Sequence, residues 1–274
     1  MSDPEKQTLI DLEDDEKKPT SSPQGQKSPM RRGPPLLKIP IIMHLRGQRL
    51  ILASASPRRR ALLSQVNIGL TGLEIRPSSK PENIEKSTHT AHEYVTATAT
   101  QKALDVYQTI ISEGEADSSL ADPTILIAAD TIIVSRDGRI IEKPRNEADH
   151  IRMLKLLRDT EFHSVLTSVC VMAPREDAQH PGYEIETHTE ETKVWFAPED
   201  DGLPDDVIEA YVKTGEGVDK AGGYAIQGMG GMILVDKVDG SVDNVVGLPV
   251  RRVLAMAEKV IFKQGHRSDD EEEE

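Results

Sequence analysis

From about Arg49 to Phe262 the chain alternates short apolar runs with stretches of helical period, punctuated by Gly, Pro, Asn and Asp. Arg49 to Ala53 reads as a buried strand. A short helix follows at once, over Pro57 to Gln65, with Ser56 placed to cap it and Pro57 suited to its first turn. Ala91 to Glu113 has the helical pattern Tyr94, Ala97, Ala103, Leu104, Tyr107, Ile111. Thr124 to Ala129 is an apolar run of central-strand length, and Ile132 to Glu142 reads as a hairpin around Asp137-Gly138. Asn146 is placed to cap a helix that buries Ile151, Leu154 and Leu157. Ser164 to Met172 and Tyr183 to Phe196 look like strands, with Pro174, Pro181 and Gly182 in the loop between them. Pro204 to Lys213 and Pro249 to Phe262 look helical. Alternating strands and helices of these lengths predict an α/β domain with one main core, which could be notched into two lobes.

The ends read differently. Residues 1–48 carry six prolines from Pro19 to Pro40 among Ser, Gln and mixed charges, a composition that does not offset its ordering entropy and predicts a disordered Pro-rich tail. Leu36 to Leu45 is more apolar and could dock on the domain or form a short strand. The domain is expected over residues 49–265, with residues 266–274 an acidic, solvated tail.

Composition sharpens this in four ways. Aromatics are 3% of the chain, so Val, Ile, Leu and Ala must build the core. The net charge of −14 opposes general binding to a nucleic-acid backbone, while leaving room for one small basic pocket. The single cysteine, Cys170, lies in an apolar run, excludes an intrachain disulfide and suits a reducing compartment. No apolar run reaches the ~18 residues of a membrane span, and the polar N-terminus lacks a secretory apolar core, so a cytoplasmic protein is expected.

Three constellations carry candidate chemistry. In Leu52-Ala-Ser54-Ala-Ser56-Pro57-Arg58-Arg59-Arg60 a strand gives way to a helix within four residues. Free N–H groups at a helix start bind anions, and three arginines there are unfavourable unless an anion sits among them. A solvated basic turn or a localisation patch is the competing reading. Asp130 ends the apolar run from Ile125, where α/β sheets hold ligands, although an Asp there can simply cap a turn. If Asp137 and Gly138 are the two central turn residues, Ile132 faces Lys143, and Asp130 and Lys143 share a face as diagonal neighbours. Such a pair could hold a metal and activate water, or be a plain salt bridge. The glycine-rich Asp219-Lys-Ala-Gly-Gly-Tyr-Ala-Ile-Gln227-Gly could approach a ligand closely or only make tight turns, with Gln227 a suitable reader of a base edge. His89, His92, His150, His163, His180 and His188 have no metal-ligand spacing and read as surface or satisfied core residues.

Together these segments resemble the Maf family of nucleoside triphosphate pyrophosphatases. The markers are Leu-Ala-Ser-Ala-Ser-Pro-Arg-Arg (52–59), Ala-Ala-Asp-Thr (128–131), Glu-Lys-Pro (142–144), Asp-Lys-Ala-Gly-Gly-Tyr-Ala-Ile-Gln-Gly (219–228) and Asn-Val-Val-Gly-Leu-Pro (244–249), in this order. The resemblance implies a mixed sheet with flanking helices, in two lobes around a deep cleft, as in Maf and inosine triphosphatase-like proteins, usually as a homodimer. It implies hydrolysis of the α–β phosphoanhydride to a nucleoside monophosphate and pyrophosphate with Mg²⁺ or Mn²⁺. By position, Asp130 would be the catalytic carboxylate, orienting water directly or through the metal. Ser54, Arg58 and Arg59 would grip phosphates, and Lys143 would stabilise developing charge. Lys102 matches another active-site lysine of the family, although sequence alone makes it a solvated helix lysine. Arg58, Thr131 and Gln227 match the branch acting on dTTP and UTP, which favours pyrimidine nucleotides, modified forms included. The family's second segment commonly has an acidic pair, whereas here Glu82 is followed by Asn83. Glu82 is the better match for a metal-linked carboxylate. The expected partner is thus a nucleoside triphosphate, with no nucleic acid and no membrane. The rival reading is a nucleotide-binding regulator of cell division with little turnover, recruiting other proteins through its tails.

Overall fold

The computed structural model describes residues 37–64, 70, 72–81, 84–117, 122–175 and 182–262. In chain order the elements are α1 (Pro40–Leu45), β1 (Leu50–Leu52), α2 (Pro57–Leu63), β2 (Leu73–Ile75), α3 (Ala91–Ala116), β3 (Ile125–Ser135), β4 (Ile140–Ile141), α4 (Glu147–Asp159), β5 (His163–Pro174), β6 (Tyr183–Phe196), α5 (Asp205–Lys213), α6 (Met229–Ile233), β7 (Val235–Asp239), α7 (Val242–Val246) and α8 (Val250–Phe262). The strands form one seven-stranded mixed sheet in the order β2-β1-β3-β5-β6-β7, with β4 paired to β3. β1 runs parallel to both β2 and β3, and the remaining pairings are antiparallel.

Strand alternation explains the layers. Leu50 and Leu52 of β1, Ile125, Ile127 and Ala129 of β3, and Val169 and Val171 of β5 face one side and pack with Val253, Met256 and Val260 of α8. The intervening Ile51, Leu126, Ala128, Cys170 and Met172 face the other side and meet Ala99, Ala103, Val106 and Ile110 of α3. Both faces are therefore covered, which is why these strands read as continuous apolar runs. Beyond Thr131, Ile133 and Val165 pack with Leu154 and Leu157 of α4 and Ile208 of α5.

Three expectations need correction. Pro40–Leu45, placed in the tail as a segment that could dock on the domain or form a short strand, does dock, but as a helix, with Ile41, Ile42 and Leu45 buried in the α8-side core. Each such side chain contributes roughly 1.5–3 kcal/mol, so the folded part begins before Arg49. The strand expected to end at Asp130 continues to Ser135, pairing with β5 throughout. An acid can sit inside it because a lysine meets it, as described below. Finally, the hairpin pairs Ile133 with Ile141 and Val134 with Ile140, one residue out of the expected register. Its loop has three residues: Ser135 N–H donates to Arg139 O, and Gly138, at φ 85°, donates to Ser135 O. Sliding by one residue exchanges faces, so sheet alternation does not bring Asp130 and Lys143 together. Among the described residues no helix is long and apolar enough to cross a membrane.

Candidate active site

β1 stops at Leu52, opposite Ile127, while β3 runs on for eight more residues. A cavity of about 510 Å³ opens beyond that end of β1, at the carboxyl ends of the parallel strands. Ser54, Arg58, Arg59, Lys102, Asp130, Thr131, Lys143 and Gln227 all line it. The hairpin brings Lys143 there after the ladder has ended at Ile141. Glu82, the expected metal-linked carboxylate, and Asn83 lie outside the described residues.

The strand alternation that turns Leu126 and Ala128 toward α3 also turns Asp130 that way. There Lys102 Nζ donates to Asp130 Oδ1 at 2.7 Å, and the two side chains are 16% and 10% exposed. The ammonium beside Asp130 is thus Lys102, not Lys143. Lys102 is not the solvated helix lysine expected from sequence. It follows Val95 and Ala99 and precedes Val106 on the buried stripe of α3, a periodicity that was legible and pointed inward. Asp130 Oδ2 has no hydrogen bond among the described residues, and Asp130 lines the cavity.

The β1–α2 corner forms as the local sequence dictates. Ser56 caps α2 through Arg59 N–H at 3.4 Å, Pro57 occupies the first turn, and Ser56 N–H donates to Ser54 Oγ at 3.2 Å. Arg59 turns away from bulk solvent. Its Nε donates to Gly247 O (2.8 Å), Nη1 to Ser54 Oγ (3.0 Å) and Ala129 O (2.9 Å), and Nη2 to Thr131 Oγ1 (2.9 Å). One guanidinium therefore ties together the β1–α2 corner, β3 and the turn after α7. Gly247 makes this approach possible. It sits at φ 118°, and a Cβ there would lie 3.3 Å from Thr131 Oγ1 and 3.5 Å from Arg59 Nε.

The Asn-Val-Val-Gly-Leu-Pro segment now has a physical role. The buried Asn244 side-chain amide donates to Val165 O (3.1 Å) and Thr192 Oγ1 (3.0 Å), and its backbone carbonyl accepts from Thr167 Oγ1 at 3.0 Å. Thr167 Oγ1 lies 3.0 Å from Thr131 Oγ1. A polar chain thus runs from Asn244 through two threonines to Arg59, holding the cavity wall formed by Val245 and Val246.

Sequence reasoning missed Lys80 as a wall residue, and it gave no individual role to Asp219, Lys220 and Tyr224, although it singled out the glycine-rich segment that carries them. Lys80 lies 3.6 Å from buried Asp105 of α3, which also accepts from Ser78 Oγ (2.7 Å) and Ser79 N–H (2.9 Å). The Ser78 hydroxyl leads the contacts that hold the Asp105 carboxyl below its ordinary range. The interaction with Lys220 does the same for Asp219, and Arg58 Nη1 approaches Asp219 at 3.9 Å. Arg58, Arg59, Lys80, Lys102, Lys143 and Lys220 face only Asp130 and Asp219 among the described wall residues. A chain of net charge −14 thus concentrates positive charge in one cavity, whose potential draws in anions.

Cys170, His163 and His150 lie outside this wall, in the core. Burial pushes the Cys170 thiol up to about 12, as expected for a core thiol. Burial pushes the His163 imidazole down to about 3, while Nε2 meets the Tyr224 hydroxyl at 2.8 Å. His150 Nε2 meets Gly223 O at 2.6 Å. Both histidines retain an unpartnered buried Nδ1, so "satisfied" describes only one nitrogen of each. Among the described residues no group of three His, Cys, Asp or Glu side chains is set to hold a metal ion.

Comparison with known proteins finds several relatives over most of the chain. A dTTP/UTP pyrophosphatase of Schizosaccharomyces pombe is 43% identical over 219 residues, covering 79% of this chain and 86% of that protein. One of Anaeromyxobacter dehalogenans is 41% identical over 214 residues, covering 78% of this chain and 95% of that protein. One of Saccharomyces cerevisiae is 35% identical over 210 residues, covering 74% and 86%. A longer human protein is 39% identical over 224 residues, of which the chain spans 34%. A family model described as Maf-like protein matches residues 49–260, which take in the whole cavity wall, and the chain therefore belongs to the Maf-like protein family.

Proposed function

We propose that the cavity binds a nucleoside triphosphate and hydrolyses its α–β phosphoanhydride, with dTTP and UTP, and modified forms of them, as the preferred class. The observation that carries this reading is the gathering of six cationic side chains in the wall of the one cavity that Asp130 also lines. Water attacks the α-phosphorus, its proton passes to Asp130 Oδ2, the bridging bond breaks, and pyrophosphate leaves with the bridging oxygen. Arg58, Lys143 and Lys80 compensate the charge that grows on the leaving pyrophosphate. Ser54 and the start of α2 receive phosphate oxygens, and Arg59 keeps the corner in shape for them. Lys102 fixes the rotamer of Asp130. Gln227, in the cavity wall, reads the base edge, and the preference for dTTP and UTP is supported by the names of the relatives, which are dTTP/UTP pyrophosphatases.

The donor set suits Mg²⁺ or Mn²⁺, hard ions that take one or two carboxylates plus substrate phosphate oxygens. Asp130 would hold the ion, which when bound neutralises phosphate charge. We further propose that the protein is a cytoplasmic homodimer. The exposed Met229, Met232 and Ile233 of α6 offer an apolar surface for self-association, and sedimentation at increasing concentration should reveal a dimer; a monomer throughout removes that part.

The activity is tested by incubating the protein with UTP, dTTP, CTP and GTP plus Mg²⁺ and resolving the products. The expected products are the nucleoside monophosphate and pyrophosphate, with kcat/KM for UTP and dTTP at least about tenfold above GTP, the scale of discrimination that base-edge contacts supply. Release of orthophosphate overturns the proposed bond cleavage. Tight nucleotide binding with no turnover favours a regulator instead.

A further inference from the structure

Gln227 can read a base only if its backbone is held, yet it lies in a segment with five glycines between Gly217 and Gly230. What holds it is a residue outside the cavity wall. The Glu216 carboxylate accepts from Met229 N–H through Oε1 and from Gly230 N–H through Oε2, both at 2.8 Å. These are unpaired donors of the first turn of α6, directly after Gln227-Gly228. The carbonyl of the same residue accepts from Lys220 Nζ at 2.6 Å. Glu216 thus grips both flanks of the loop that presents Asp219, Lys220, Tyr224 and Gln227 to the cavity.

The fit leaves no spare room. A Cβ on Gly228 would fall 1.8 Å from Glu216 Oε1, and one on Gly231 would fall 1.9 Å from Ile226 O. Gly228 has φ −125°, so its lack of a side chain answers to the proximity of Glu216 rather than to a left-handed backbone. Burial raises the Glu216 carboxyl, but the N–H groups of Gly230 and Met229, together with the Tyr211 hydroxyl and the Lys220 charge, hold the group below its ordinary range.

We propose that Glu216 is a positioning residue for base selection: its carboxylate clips the 217–228 loop shut and fixes Gln227 at the base edge without touching the nucleotide. The inference rests on the reading of Gln227 as base reader. A loop released at one end samples many Gln227 positions, so nucleotides bind less tightly and are less well told apart. The chemistry at Asp130, built on β3 and α3, is left intact.

Three variants of the full chain test this: Glu216→Ala, Glu216→Gln and Gly228→Ala. Glu216→Ala should raise KM for UTP about tenfold and lower the UTP-to-GTP ratio of kcat/KM about as much, the usual worth of a charge-assisted hydrogen bond pair shared with solvent, with kcat within about threefold of wild type. Glu216→Gln retains one acceptor and should fall between. Gly228→Ala should reproduce the loss from the opposite side by displacing the carboxylate. Inhibition by pyrophosphate, which has no base, should be unchanged in all three. Gln227→Ala is the reference. If Gln227→Ala loses discrimination while folded Glu216→Gln and Gly228→Ala keep it, Glu216 has no such role. If Gln227→Ala keeps discrimination, the base-reader reading falls and this inference falls with it. Equal losses of kcat for every nucleotide at unchanged discrimination, or pyrophosphate inhibition lost in parallel, would show general damage and overturn the positioning role. Should Glu216→Ala fail to fold, the other two variants decide.

Discussion

Asp130→Asn is expected to lower kcat for UTP about 10³-fold, the worth of a positioned general base, with KM changed only a few-fold, read as pyrophosphate release at saturating UTP. Asparagine has the same shape and keeps an oxygen for Lys102 Nζ, now at 2.7 Å from Oδ1. It cannot take a proton from water, and it offers a metal ion a neutral ligand. The effect therefore falls on the chemical step rather than on substrate capture. Some stability goes too. Lys102 would keep its charge beside a neutral amide at only 16% exposure. A buried charge that loses its partner entirely costs roughly 3–5 kcal/mol, and the amide oxygen and solvated edge that remain for Lys102 keep the expected cost below that range. Lys102→Met separates the two roles. Combined with Asp130→Asn it should restore part of the lost melting temperature and none of the lost kcat. An Asp130→Asn protein that retains a tenth of wild-type kcat would remove Asp130 as the base.

The sequence carried the elements well because their signals are local. Ser56 and Asn146 cap α2 and α4 as their types predict, and apolar runs of five or six residues became central strands of a sheet covered on both faces. Where the expectation slipped, a non-local contact had decided the outcome. Asp130 looked like a strand end because a buried acid inside a strand is costly; the lysine that lifts that cost comes from a helix 28 residues earlier. The Asp137-Gly138 turn resembled a two-residue loop, but Ser135 pairing with Arg139 selects three. The wall residues themselves were mostly readable, since each combines an expensive side chain with a small-residue or glycine context. Arg59 shows the limit. Sequence can indicate that an arginine belongs at a phosphate corner, but not that carbonyls of Ala129 and Gly247, 70 and 188 residues away, take up its donors.

That distinction yields the second large effect. Arg59→Lys should lower the melting temperature by roughly 10 °C, whereas Arg58→Lys should leave it nearly unchanged. Lysine offers its donors from one atom, and no single ammonium position reaches Gly247 O, Ala129 O, Ser54 Oγ and Thr131 Oγ1 together, as the planar guanidinium fork does. Hydrogen bonds to a charged group are each worth about 1.5–3 kcal/mol, and a buried acceptor left unmet adds its desolvation penalty. With one or two contacts recovered by the ammonium, the net loss is roughly 3–5 kcal/mol, which at 2–4 °C per kcal/mol for a domain of this size gives about 10 °C. Activity should fall with it, by about 10² in kcat/KM, because Ser54 and the Gly247 turn lose the strut that sets their spacing. Arg58 is 33% exposed and only 3.9 Å from its nearest acid. A contact of that kind contributes at most about 1 kcal/mol, so its replacement should appear as a raised KM at nearly constant melting temperature. Calorimetry and initial rates on the two variants make the comparison. Equal thermal shifts, or an Arg59→Lys protein with wild-type stability and a raised KM alone, would make Arg59 a direct phosphate ligand and return the strut's role to the backbone of the corner.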